Sequence, residues 1–404
     1  MNQQFEAVRA QTERLVAPLE NEDFGLQAMA DASPPKWHLA HTTWFFETFV
    51  LIPFDAGYEA FNPHFEHLFN SYYNGVGTPF PRHRRGQLSR PTVAEVFSYR
   101  RYVDEAMARL LAGNHDEEVL RRVELGLHHE QQHQELLLTD LKYNFSCNPI
   151  APAYRSDLHT TDDNAGGEPG QLRFDGGVVE IGARTGFAFD NETPRHKVHL
   201  NPFALADRLV TNGEFADFID DGGYENHEHW LSDGWATVRE AGWQAPIYWR
   251  RQDDAWTEFT LAGERPLDRA APVVHVSGYE ADAFARWSGA RLPSEVEWEH
   301  AVADEPVNGN FVESDALHPQ PARGSRQMFG DVWEWTSSAY GPYPGYRPPA
   351  GALGEYNGKF MANQLVLRGG SCATPESHIR ASYRNFFYPP DRWQFSGIRL
   401  AYDV

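Results

Sequence analysis

Cysteine is almost absent from this chain: Cys147 and Cys372 are the two thiols among 404 residues, and they lie far apart. That is too few for a disulfide framework, so a reducing cytoplasm is the expected setting. Basic residues are also scarce, with 35 Lys+Arg against 57 Asp+Glu and a formal charge of -22. This balance argues against a nucleic-acid partner and against an anionic membrane surface, and it leaves room for a cationic small molecule. No apolar run approaches the roughly 18 residues of a membrane span. The opening MNQQFEAVRAQTERLV mixes charged and apolar residues at helical spacing and lacks the apolar core of a secretion signal. What is present, 41% hydrophobic and 14% aromatic residues, is enough to build cores, which excludes a disordered chain. A soluble intracellular protein of two or three domains is expected.

Two grammars divide the chain. The first ~150 residues carry helical periodicity over roughly 3–20, 36–52, 91–113 and 116–143. Ser33-Pro34-Pro35 and Ser89-Arg90-Pro91 read as helix starts. Four helices of this length predict a bundle, an architecture whose core often holds metal. The aromatic-rich stretch FNPHFEHLFNSYYNGVGTPFPRHRRGQLSR separates the second helix from the third, and a loop that long inside a compact domain is usually functional. Residues 151–172 carry Gly, Pro, Asp and Thr without periodicity and read as a linker. Beyond it, short β-like runs alternate with Gly, Pro and Trp, and one helix is expected near 279–290. The predicted organisation is a helical domain over 1–150, the linker 151–172 and an irregular α+β domain over 173–404. No internal repeat stands out.

The segment LGLHHEQQHQELLLTDL contains HEQQH, the H-E-x-x-H pattern of zinc proteases. On a helix His129 and His133 are rotated by about 40° and separated by about 6 Å, so their imidazoles share a face. Leu125, Leu136 and Leu137 lie along the same stripe, and the histidines are expected to point inward. Two buried imidazoles side by side are costly without a shared partner, which favours a metal over two core histidines. A protease of one pattern needs Gly and His where Leu136 and Thr139 stand. The other pattern needs a helical Glu about 20 residues on, where the linker begins. Glu135 is about 200° round the helix from His133 and points away, so a two-His, one-carboxylate site on this helix is not expected. The third ligand has to come from another helix, where ASPPKWHLAHTTWFFETF offers His38 and His41.

These residues resemble a known family, the ergothioneine-biosynthesis sulfoxide synthases. SPPKWHLAHTTWFFE, FNSYYN, LSRPTV and HHEQQHQE are similar to its N-terminal DinB-like bundle. GDVWEWTSS, LRGGSCAT and RNFFYPPDRWQFSGIRLAY are similar to its C-terminal domain of the formylglycine-generating-enzyme type, a C-type-lectin-like fold. The resemblance implies an iron(II) ion held by His41, His129 and His133. It also implies an O₂-dependent reaction joining a cysteine-type thiol to C2 of the imidazole of hercynine (Nα-trimethylhistidine), with oxidation to a sulfoxide. Tyr72 and Tyr73 resemble the loop tyrosines that relay protons and electrons in one branch of the family. Arg82 and Arg85, in PRHRRG, match the region that grips the carboxylate of the thiol substrate, Arg82 most directly. Gln132 and the loop Asn385, Phe386 and Phe387 match positions that face hercynine, whose quaternary ammonium suits aromatic faces. The resemblance thus draws the site from both halves of the sequence. Another branch has Asp where Phe387 stands and a catalytic Tyr in the C-terminal domain.

Copper-dependent formylglycine-generating enzymes need two nearby cysteines in this second half, and the chain has only Cys372 there. Cys372, Trp333 and Trp335 are therefore expected to pack the core. Three other functions are compatible with the same motifs: a selenoneine synthase joining hercynine to a selenosugar, a coupling of cysteine to unmethylated histidine, and a binding module with a vestigial metal site. The second usually carries an added methyltransferase domain. The intact histidine set and the loop tyrosines favour an enzyme over the third.

Overall fold

A computed structural model describes residues 1–113, 116–158, 170–253, 255–323 and 326–404. The chain forms two compact units, Met1–Tyr154 with Pro349–Tyr356, and Arg155–Pro348 with Asn357–Val404. Half of the expected linker, residues 159–169, lies outside the described residues. Pro349–Tyr356, expected in the second domain, belongs with the helical unit.

Four helices build the first unit: α1 (Asn2–Val16), α2 (Pro35–Phe46), α3 (Val93–Leu111) and α4 (Glu117–Ser146). Their starts show what local sequence decides. Thr92 caps α3 in a reciprocal pair with Glu95, so the start expected at Ser89-Arg90-Pro91 falls slightly later. The Asp116 side chain accepts from Val119 N–H to open α4. Pro35 occupies the first turn of α2, where a missing N–H costs nothing. Ser33 makes no cap; its backbone N–H donates to Asp140 and its hydroxyl accepts from Arg85. After Phe46 the helix widens into a π-turn, Glu47–Leu51, followed by Ile52–Phe54.

Two features fix how the helices meet. A Cβ on Gly126 of α4 would lie 2.5 Å from the Phe46 ring of α2, and that ring is fully buried against Phe5. Glycine is therefore required where α2 and α4 cross. One turn along α4, the carboxylate of Glu130, wholly buried, accepts from Arg9 Nη1 (2.9 Å), Arg100 Nη2 (2.7 Å) and Thr12 Oγ1 (2.6 Å). Burial pushes this carboxyl up, but Arg100 and Arg9 outweigh it and hold it down at about 2. The ion cluster locks α1 and α3 onto α4.

The second unit is irregular α+β. One sheet runs in the order Asn385–Phe387, Leu365–Arg368, Trp333–Ala339, Ser396–Gly397, with the last pair parallel. A second, antiparallel sheet joins Gln171–Phe174, Phe203–Ala206 and Ala401–Asp403. The expected helix near 279–290 is Gly278–Trp287, opened by a Ser277–Glu280 capping pair. Trp333, Trp335 and Cys372 are fully buried, Trp335 Nε1 donating to the Val276 carbonyl. Both cysteines are free thiols. No helix among the described residues is long and apolar enough to cross a membrane.

Candidate metal centre

His41 of α2 and His129 and His133 of α4 come together, each offering a ring nitrogen within 4.8 Å of the others. His41 and His129 are buried and His133 is half-buried. The stripe of α4 that holds them is not the most buried one: Leu125, Gln132 and Leu136 are half-buried, whereas Val123, Leu127, Glu130, Gln134, Leu137 and Leu138 form its core face. His41 and His129 are nevertheless closed off, at 0% and 2% exposure, and the half-buried His133 is the member of the cluster open to solvent. Glu135 is buried and contributes nothing to the cluster, as its angle on the helix requires.

The hydrogen bonds test whether this cluster suits a metal. His41 Nδ1 lies 2.6 Å from the carbonyl of Phe69, which can only accept, so Nδ1 carries the hydrogen and Nε2 is a bare lone pair. That Nε2 faces His129 Nε2 at 3.1 Å. Two nitrogens bound side by side to one ion at about 2.1 Å each lie about 3 Å apart. His129 Nδ1 is buried without a hydrogen-bond partner. Burial pushes the pKa of His129 down to about 3; burial and the neighbouring imidazoles put His41 and His133 well below the ordinary histidine value. Three imidazoles held neutral, with lone pairs turned toward each other, fit a metal ion. Their orientation is held from outside: the His41 ring sits between the stacked indoles of Trp37 (4.4 Å) and Trp44 (5.4 Å), and Phe45 packs on His129 (4.5 Å).

His38 does not join the three. Its Nδ1 lies 2.9 Å from His133 Nδ1 and its Nε2 lies 3.0 Å from Asp140 Oδ2, a row behind the cluster.

Tyr73 is fully buried and stacks on the half-buried Tyr72 (4.5 Å), with 3.4 Å between the two hydroxyls. The Trp44 indole that stacks on His41 also touches the Tyr73 ring (5.6 Å), so the tyrosine pair is one aromatic ring removed from the cluster. Burial, then Tyr72 and Tyr356, raise the Tyr73 phenol well above its ordinary value and keep it protonated. Arg82 and Arg85, the two arginines expected to bind substrate, part company. Arg82 is exposed. Arg85 is buried, donates to Ser33 Oγ (2.8 Å) and lies 3.3 Å over the Trp37 ring, behind His41. Gln132 is half-buried, and its carbonyl oxygen accepts from the Tyr356 hydroxyl.

Tyr356 lies outside every motif that pointed to the site. It is buried in the helical unit with its ring 5.8 Å from that of His129. Its neighbour Glu355 accepts from the backbone N–H groups of Asn74 (3.1 Å) and Gly75 (2.7 Å), directly after the tyrosine pair. Only the acid-aromatic pair within a Gly/Pro-rich stretch hinted at it. In the second unit, Asn385, Phe386 and Phe387 are half-buried in a strand paired with Leu365–Leu367. Phe386 stacks on Tyr340 (4.0 Å), and Phe387 meets Trp393 edge-on (6.1 Å).

Comparison with known proteins gives this arrangement a family. Residues 4–137 match the DinB superfamily, and residues 157–323 and 310–404 match the sulfatase-modifying factor enzyme 1-like domain. A hercynine oxygenase of Mycobacterium tuberculosis is 34% identical, with 98% of this chain and 97% of that one aligned. The chain belongs to the hercynine oxygenase family. A second member, from Mycolicibacterium smegmatis, is 38% identical over 70% of this chain and 72% of its own length. A formylglycine-generating enzyme of Streptomyces coelicolor is 30% identical over 58% of this chain and 90% of that one. Membership makes the chain an oxygenase, built from a DinB-type helical domain and a sheet-rich domain of the formylglycine-generating-enzyme type.

Proposed function

We propose that this chain is an iron(II)- and O₂-dependent sulfoxide synthase that couples the thiol of cysteine or γ-glutamylcysteine to C2 of the hercynine imidazole. The observation that carries this reading is the convergence of His41, His129 and His133, three neutral imidazoles without a carboxylate among them. Ferrous iron in such a site supplies the redox chemistry for O₂ and lowers the pKa of a thiol substrate.

The chain's own residues do the rest. Gln132 and Tyr356 present a linked amide and phenol beside His129, suited to orient a polar substrate. Arg82, an exposed guanidinium of the loop, grips a carboxylate; Arg85 supports the stack of Trp37 on His41. Tyr73 holds its proton at neutral pH, and Tyr72 leads from it toward the surface, so the pair provides a proton, or an electron with a proton, on demand. For Asn385, Phe386 and Phe387 the assignment rests on their chemistry: an amide for a carboxylate and aromatic faces for a trimethylammonium group.

The test is anaerobic reconstitution of the full chain with Fe(II), followed by O₂ with hercynine and, in parallel, cysteine, γ-glutamylcysteine or a selenosugar. Mass spectrometry should find a hercynine-thiol sulfoxide with one of the two thiols. A coupled product from the selenosugar alone would reassign the donor. No coupled product with any donor would overturn the reading.

A further inference from the structure

We propose that His38 and Asp140 form a positioning relay that sets the tautomer of His133 and so the donor state of the histidine cluster. The proposal rests on the three-histidine metal reading above. Asp140 lies seven residues beyond His133 on α4, two turns along the same face, and His38 lies one turn before His41 on α2. Both are buried, His38 to 3% and Asp140 to 1% exposure. The packing of α2 on α4 brings Asp140, His38 and His133 into one row.

The direction of each hydrogen bond follows from what each atom is able to do. A carboxylate accepts only. Asp140 Oδ2 accepts from Ser33 N–H at 2.8 Å and stands 3.0 Å from His38 Nε2, so His38 carries its hydrogen on Nε2. A neutral imidazole with Nε2–H has a bare Nδ1. That atom faces His133 Nδ1 at 2.9 Å, and the contact is a hydrogen bond only if His133 Nδ1–H donates. His133 is left with Nε2 bare, the state in which an imidazole ligates a metal.

The relay is anchored at its far end. Ser33 is held by Arg85 as well as by Asp140, and Arg85 lies over Trp37. His41 receives the same treatment from a different source, the Phe69 carbonyl. Two of the three ligand nitrogens are thus bare because a buried acceptor takes up the hydrogen on the other side of the ring.

The test uses the full chain labelled with ¹⁵N-histidine. In the metal-free protein, long-range ¹H–¹⁵N spectra read each ring's tautomer, and the His133→Ala spectrum assigns the signal. Hydrogen on Nδ1 of His133 is expected; hydrogen on Nε2 overturns the relay. This measurement needs no variant to fold beyond the one used for assignment. The second arm measures Fe(II) affinity anaerobically. Leucine at position 38 removes the acceptor and should weaken binding by about 10–100-fold at unchanged stoichiometry. His38→Gln, whose amide oxygen can accept from His133 Nδ1–H, should recover most of that loss. Equal affinity in wild type and His38→Leu overturns the relay. Failure of the wild type to bind Fe(II) overturns the metal reading instead, and the tautomer measurement still judges the relay.

Discussion

Glu334 of the second unit and His129 of the helical unit are buried almost equally, at 0% and 2% exposure, and they are treated in opposite ways. Glu334 has both oxygens occupied: Arg399 donates through Nε (2.7 Å) and Nη2 (2.8 Å), and Trp298 Nε1 donates at 2.7 Å. His129 has a buried Nδ1 with no partner and an Nε2 aimed at another imidazole. The contrast repeats within one helix, since Glu130, next to His129, is fully compensated by Arg9, Arg100 and Thr12. A buried polar group whose every valence is met specifies a fold; a set whose lone pairs converge is waiting for a ligand.

The sharpest way to break this comparison is to remove members of each set. Alanine at His41, His129 or His133 should abolish Fe(II) binding and coupling, measured by equilibrium dialysis and product formation. Because no fold-defining hydrogen bond is lost at His129, its variant should melt within a few degrees of the metal-free wild type.

Tyr73→Phe keeps the stacked ring and removes the proton. Sulfoxide formation should slow by about 10²-fold or more, or the enzyme should turn to oxidising the thiol alone. Fe(II) affinity and melting temperature should not move. Wild-type rate and product ratio in both Tyr72→Phe and Tyr73→Phe would assign the pair to packing.

On the compensated side, Arg399→Leu strands the Glu334 carboxylate and should cost about 3–5 kcal/mol in denaturant unfolding. Arg9→Leu should cost less, because Arg100 and Thr12 still hold Glu130. Gly126→Ala should cost about 1–3 kcal/mol by pressing on the buried Phe46 ring. It should also weaken Fe(II) binding, since that crossing sets the distance between His41 and His129. An unchanged Fe(II) affinity would separate the crossing from the site.

The smallest effect is in pH. Burial raises Glu295, but Arg368 and Arg384 outweigh burial and hold its carboxyl below the ordinary value. A depressed folded pKa gives stability that is present above the unfolded value of about 4.3 and is lost as pH falls through the folded value. Burial wins at Glu334 and raises it despite Arg399, so its contribution has the opposite sign: greatest at low pH and lost as pH rises through the folded value. Glu295→Gln should therefore flatten the acid limb of a stability-pH curve. An acid limb identical to wild type would show that its two arginines do not hold it down.

Much of the helical unit was legible because its signals are local. The period of 3.6 gave the four helices to within a few residues and put His129 and His133 on one face. Composition and turn residues marked the second unit as irregular α+β without its strand order, since strand pairing joins segments far apart in sequence. The resemblance named His41, yet spacing alone left His38 equally eligible. Both imidazoles meet α4, and the tertiary packing places His41 against His129 and His38 between His133 and Asp140.

Arg85 shows the same limit. A run of arginines reads as a solvated or ligand-binding patch, and nothing local says that one of them folds under Trp37. Tyr356 and Glu355 are more than 200 residues from the groups they touch, Gln132 and the Asn74–Gly75 turn. By itself the sequence determined the helices and the shared face of two histidines, because those depend on neighbours within a turn or two. Only the tertiary structure brought His41 to the other two histidines, folded Arg85 over Trp37 and returned Tyr356 to Gln132, because each depends on a partner that arrives from elsewhere in the chain.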